Sequence, residues 1–195
     1  MYRLKTTLII LLSITMFSAC SGEKQDTPQP SQSSDPVIIN GHTLPSEPDP
    51  KINNSTLLGI DSNNNDVRDD VEIWIYQTYK DKHPIHIDIA MQAARGYKLV
   101  LEHPDRALEI HDEVGAPQYC QYYYMYDAKY FNESILINSA IITKTFIKNI
   151  YFNTDKRLSN YLQYDKLLSG GIYSLPKDSE EKSYCDFNTS KYKKE

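Results

Sequence analysis

Beyond residue 69 the apolar positions of this chain recur mostly at helical spacing, and the pattern predicts a mainly α fold. Val71, Trp74, Ile75 and Thr78 share one face of a segment from Asp69 to Tyr79. Ile85, Ile89, Ala93, Tyr97 and Val100 stripe a second helix that Pro84 opens and that runs to Glu102. Pro104 suits the first turn of a third, Asp105 to Glu113, closed by Gly115 and Pro117. A fourth starts near Pro117 and runs to Asn138. Ser139 to Phe152 is β-branched and aromatic, which by propensity alone permits a strand; Ile142, Phe146, Asn149 and Ile150 also fit a helix face, and helix is the reading taken. Asn153 or Thr154 caps a last clear helix, Asp155 to Leu168, which stops at Gly170-Gly171. The tail from Ile172 reads as irregular and its last residues, 191–195, as loose. The expected body, residues 52–195, is one small bundle of about five helices, with no internal repeat and no second domain.

The N-terminal quarter follows a different pattern. Arg3 and Lys5 precede an apolar run, Leu8 to Phe17, that is too short to span a bilayer and has the make-up of a signal-peptide core. The run ends in Phe17-Ser18-Ala19-Cys20, which resembles a bacterial lipobox, although Phe17 stands where Leu is usual. That resemblance implies cleavage after residue 19, lipidation of Cys20 and durable anchoring by several acyl chains; an ordinary signal peptide with an incidental Cys is the alternative. Ser21 in place of Asp implies the outer membrane. Ser21 to Lys51 holds six of the ten prolines and is otherwise rich in Ser, Gln and Asp, so it is expected to be a disordered tether. Within it, Val37-Ile38-Ile39 is apolar enough to pair or pack transiently. Losing residues 1–19 removes Arg3 and Lys5 and no acid, placing the mature chain two charges below the −5 of the whole. That balance argues against nucleic acid or an anionic membrane surface as a partner.

Between tether and helices lies Asp61-Ser62-Asn63-Asn64-Asn65-Asp66-Val67-Arg68-Asp69-Asp70-Val71-Glu72. A calcium loop takes oxygens from positions 1, 3 and 5, a carbonyl at 7, a group at 9 and a two-oxygen Glu at 12. Those positions are Asp61, Asn63, Asn65, Val67, Asp69 and Glu72. Short polar side chains on every second residue of a tight turn can all point inward, and a hard cation needs six to eight such oxygens. The stretch resembles an EF-hand loop, and more closely the loops of dockerin modules and thrombospondin type 3 repeats. It departs from them at position 6, where Asp66 replaces the usual Gly, and at position 8, where Arg68 replaces an aliphatic residue; no second loop is present. The resemblance implies structural Ca2+ held with a dissociation constant of about 0.1–1 mM. The bland alternative is an Asn-rich turn whose Asp66 or Asp69 caps the next helix.

Once Cys20 is lipidated, Cys120 and Cys185 form an even pair in an oxidising compartment, and a disulfide between them is expected. Tyr119, Tyr123, Tyr126 and Tyr130 fall on one helix face and read as core, while Tyr122 and Tyr124 fall off it and read as a surface for a partner. His83 and His86 straddle Pro84 and have no Cys or Glu to complete a zinc set. Glu109, Asp112 and Glu113 read as a solvated face. No nucleophile elbow, phosphate-binding loop or dinucleotide fingerprint occurs. The whole resembles small uncharacterised bacterial lipoproteins with one such loop ahead of a helical body, a resemblance carried also by Tyr184-Cys185-Asp186-Phe187. Three functions remain in view: a non-enzymatic envelope lipoprotein that binds a protein or glycan, a cell-wall hydrolase with structural calcium, and an immunity or exclusion lipoprotein.

Overall fold

The computed structural model describes residues 36–192. The signal peptide, Cys20 and most of the tether fall outside the described residues. The fold is mainly helical, and what strand there is forms one short hairpin. Among the described residues, no helix is long and apolar enough to cross a membrane.

The sequence reading extends the tether to Lys51, whereas residues 36–51 belong to the folded body. β1 (Ile38–Ile39) pairs antiparallel with β2 (His42–Thr43), Ile38 opposite Thr43 and Ile39 opposite His42. Asn40 and Gly41 make the turn at φ 52° and 79°, the left-handed geometry that an Asn-Gly pair adopts readily. Leu44 and Pro48 are buried, and Asp49 caps α1 (Pro50–Asn53) by accepting from the amides of Lys51 and Ile52.

α2 (Asp69–Tyr79) buries Val71 and Ile75 as its spacing predicts, but Thr78 is exposed and Tyr79 takes the last core position. α3 (Ile85–Glu102) is the central helix. Its predicted stripe is buried, and so are Ile87, Ala90, Met91, Ala94 and Leu101 on its other sides. A helix apolar nearly all round must be covered all round, and α2, α4 (Ala107–Tyr122) and α5 (Asp155–Leu168) cover it.

α4 corrects the prediction of two helices. It passes through Gly115 and Pro117 without a break. Pro117 leaves the Glu113 carbonyl without its helical donor, and that carbonyl faces the bare backbone of Gly96 on α3. After Tyr122 the helix widens into a π turn, Tyr123–Asp127, tightens into a 3₁₀ turn, Ala128–Phe131, and ends at Asn132 with φ 60°. The helix therefore stops short of Asn138. Residues 132–143 form an extended strap in which Ile135, Ile137 and Ile141 turn inward. Buried Gln121 satisfies the strap: its Oε1 accepts from the amides of Ile141 and Ile142 at 2.6 and 2.8 Å. The disputed segment 139–152 is helical only from Lys144, closing as a π turn over Phe146–Tyr151.

α5 starts at Thr154, whose hydroxyl accepts from the Arg157 amide. The Arg157 side chain is fully buried. It donates to the carbonyls of Asn53, Thr56 and Leu57 and to the side-chain oxygens of Asn54 and Asn153. In the tail, Cys185 joins Cys120 as expected, and α6 (Asp178–Glu181) with the turn Lys182–Tyr184 rests against α4.

Gly59 sits at φ 76°, and a Cβ there would lie 2.2 Å from Arg68 Cδ and 2.9 Å from Arg157 Nη2. Gly59→Ala is expected to cost more than about 2 kcal/mol, from the left-handed backbone and the overpacking together, read as a lower urea midpoint. Serine at both 120 and 185 frees a loop with a sequence separation of 65; on the chain-entropy model the loss is about 4 kcal/mol in the same assay.

Candidate functional site

The loop after α1 is closed by its own side chains and main chain. The Asp69 amide donates to the Ile60 carbonyl at 2.8 Å, and the Ser62 amide to Asp69 Oδ1 at 3.0 Å. Asp61 spans the turn: Oδ1 accepts from the Asn65 amide at 3.1 Å and Oδ2 from the Asp66 amide at 3.0 Å. Asn64 and Asp66 adopt φ 56° and 66°. Position 6 thus has the left-handed conformation expected of it, with Asp66 in place of the usual Gly. The Asp66 carboxylate is fastened to Lys98 on α3. Val67 is fully buried, so the loop is pinned to the core at its seventh position. Next to it Arg68, also buried, pairs with Asp70 and donates to the carbonyls of Ile150 and Tyr151.

Glu72, one turn into α2, has no solvent exposure. A buried carboxylate demands donors, and three converge on it. Asn63 Nδ2 lies 3.4 and 3.1 Å from the two oxygens. Asn65 Nδ2 reaches Oε2 at 2.7 Å, and His42 Nε2 reaches Oε1 at 2.6 Å. The His42 ring also stacks on Tyr76 at 4.4 Å. With Asn40 donating to the Lys80 carbonyl, the hairpin lies along Glu72, Tyr76 and Lys80, one face of α2.

Of the predicted ligands, then, Asn63, Asn65 and Glu72 meet at one point, while Asp61 and Asp69 turn oxygens to loop amides. Among the described residues, no group of three or more His, Cys, Asp or Glu side chains is placed to hold a metal ion. The donor chemistry nevertheless suits a hard cation: carboxylate and carboxamide oxygens, with N–H groups occupying the cationic side of Glu72. Turning the Asn63 and Asn65 carboxamides would exchange nitrogen for oxygen at that point, giving up their N–H bonds to Glu72 and the bond from the Val67 amide to Asn65 Oδ1. His42 escaped the sequence reading because the Pro-rich composition around it masked the Asn40-Gly41 hairpin signal.

The tyrosine assignments change. Tyr124 is fully buried and cannot face a partner; its hydroxyl is pushed up to about 12, chiefly by burial. Tyr122 is 39% exposed, and Tyr126, Tyr130 and Phe131 are exposed beyond it. Tyr126 and Tyr130, read as core, lie outside because the π turn breaks the 3.6-residue period from which their face was counted. The Tyr122 and Tyr126 rings lie 5.9 Å apart, Lys129 sits over the Tyr130 ring, and Phe131 stacks on Tyr123.

A groove of about 570 Å³ lies between α3, α4 and the tail, lined by Gln92, Arg95, Glu102, Asp112, Glu113 and Tyr184 among others. Arg95 is paired with Asp186 along it. His83 and His86 are held below the ordinary imidazole range, chiefly by burial. His86 Nδ1 is engaged by the His83 carbonyl.

Comparison with known proteins yields no family model, no curated protein and no solved structure that matches this chain.

Burial, then the Asp127 carboxyl beside it, push Glu181 up to about 7. The folded chain therefore binds this proton more tightly than the unfolded one, and stability falls as pH rises from the ordinary glutamate range through 7. The melting temperature is expected to drop across that window, and Glu181→Gln to flatten the drop.

Proposed function

We propose that this chain is a lipid-anchored envelope protein, tethered through Cys20 to the outer membrane, whose helical body is a non-enzymatic binding module built on a calcium loop. Its partner is an envelope protein or a glycan, met by the exposed rings of Tyr122, Tyr126, Tyr130 and Phe131. The ion is structural: it would be held by Asp61, Asn63, Asn65, the Val67 carbonyl, Asp69 and Glu72, and it supplies positive charge to a carboxylate that the fold buries.

The observation that carries this reading is the meeting of Asn63, Asn65 and Glu72 within a loop whose Asn64 and Asp66 take positive φ. A plain capped turn needs a carboxylate at the start of a helix; it does not need a fully buried Glu in the first turn with carboxamides from two alternate positions aimed at it. Exposed tyrosine and phenylalanine rings give contact area at low entropic cost and suit either a protein or a sugar face. A hydrolase has one observation on its side, the groove that holds Glu102, Asp112 and Glu113.

Thermal melts of the full chain in detergent, with calcium and with chelator, test the ion. At 100-fold excess over its dissociation constant, calcium adds about 2.7 kcal/mol of stability by mass action, and Glu72→Gln removes that gain. Superimposable melts with and without calcium would leave the capped turn.

A further inference from the structure

The Glu72 carboxylate is held partly from outside the Asp61–Glu72 loop. Of the three groups on the Glu72 carboxylate, two belong to the loop and one, His42, comes from a hairpin thirty positions earlier in sequence. The distances separate their places. Asn63 Nδ2 is within 3.4 Å of both oxygens and so lies in the fork between them. His42 Nε2 is bonded to Oε1 alone, at 2.6 Å, and so sits outside the fork. Asn63 is exposed, so its carboxamide has room to turn and present its oxygen to an ion in the fork. His42 is held: its ring stacks on Tyr76, and the hairpin behind it is tied by Asn40 to Lys80 and by buried Leu44.

A cation gripped by both oxygens of a glutamate occupies the fork and leaves the flank free to accept a hydrogen bond. Donors on the flank of a ligating carboxylate fix its orientation, and their loss weakens metal binding. We propose that His42 is a positioning residue for the cation site: its Nε2–H holds the Glu72 carboxylate from the flank with the fork turned toward the loop. Because His42 rides on the hairpin, ion binding and hairpin docking strengthen each other by the same factor. Calcium then holds the hairpin, Ile38 to Thr43, more tightly on α2. This inference rests on the calcium reading above.

Calorimetric titration of the full chain in detergent with calcium tests it, alongside hydrogen exchange at the Leu44 amide, which closes the hairpin on the Val37 carbonyl. His42→Ala should weaken calcium binding about 10-fold, while His42→Gln, which keeps an N–H donor, should lose no more than about 3-fold. Calcium should slow exchange of the Leu44 amide in the unaltered chain and not in His42→Ala. If His42→Ala fails to fold, Tyr76→Leu decides: it keeps the donor, frees the ring, and should weaken binding several-fold. Calcium binding by His42→Ala as tight as that of the unaltered chain, or tighter, overturns the positioning role and leaves the calcium reading intact. No binding by the unaltered chain overturns both.

Discussion

The buried guanidinium of Arg157 is the constraint on which the rest of the body depends. It has no solvent exposure and, among the described residues, no hydrogen bond to a carboxylate, and burial pushes it down to about 10, so it stays charged at neutral pH. Five acceptors surround it instead, three of them main-chain carbonyls between Asn53 and Leu57. Guanidinium geometry offers five donors in a fixed fork, so the segment around it is held in one shape. An unsatisfied buried charge would cost several kcal/mol, which makes any other path for residues 53–57 unfavourable. Neighbouring Arg68 does the same for the Ile150 and Tyr151 carbonyls. Together the two arginines join the stretch before the loop to the turn before α5, and Gly59 between them has no room for a side chain.

The loop inherits its position from that clamp. Ile60, hydrogen-bonded to Asn53 Oδ1, carries the carbonyl on which the Asp69 amide closes. Val67 then enters the core and Glu72 is drawn under the hairpin. Glu72 is thus buried by tertiary packing as much as by the loop, and its donors come from both. The start of α2 is fixed by this packing together with the acids of its first turn, which suit the positive helix end. A cation at Glu72 would add to a beginning already set.

Regular periodicity was legible where one period ran unbroken. Asp69–Tyr79, Ile85–Glu102 and Asp155–Leu168 follow from apolar spacing and stop signals alone, and the Cys120–Cys185 pair follows from arithmetic. The region from Gly115 to Phe152 was not legible in this way. Pro117 is a helix breaker by local rule, yet α4 continues through it with its backbone close against Gly96 of α3. The π turn at Tyr123–Asp127 then shifts every later side chain off the counted face, so Tyr124 faces inward and Tyr126 outward. Nothing in single-residue propensity marks that turn.

The order of residues by itself determined the helical class, the three uninterrupted helices and the spacing of oxygen-bearing side chains from Asp61 to Glu72, because each depends on neighbours within a few turns of chain; the cysteine pair, 65 residues apart, followed from the cysteine count alone. Only the tertiary structure decided that Arg157 is internal, that His42 meets Glu72, and which tyrosines face solvent. Those outcomes depend on groups tens of residues apart satisfying one another's charge and hydrogen bonds, which local sequence does not encode.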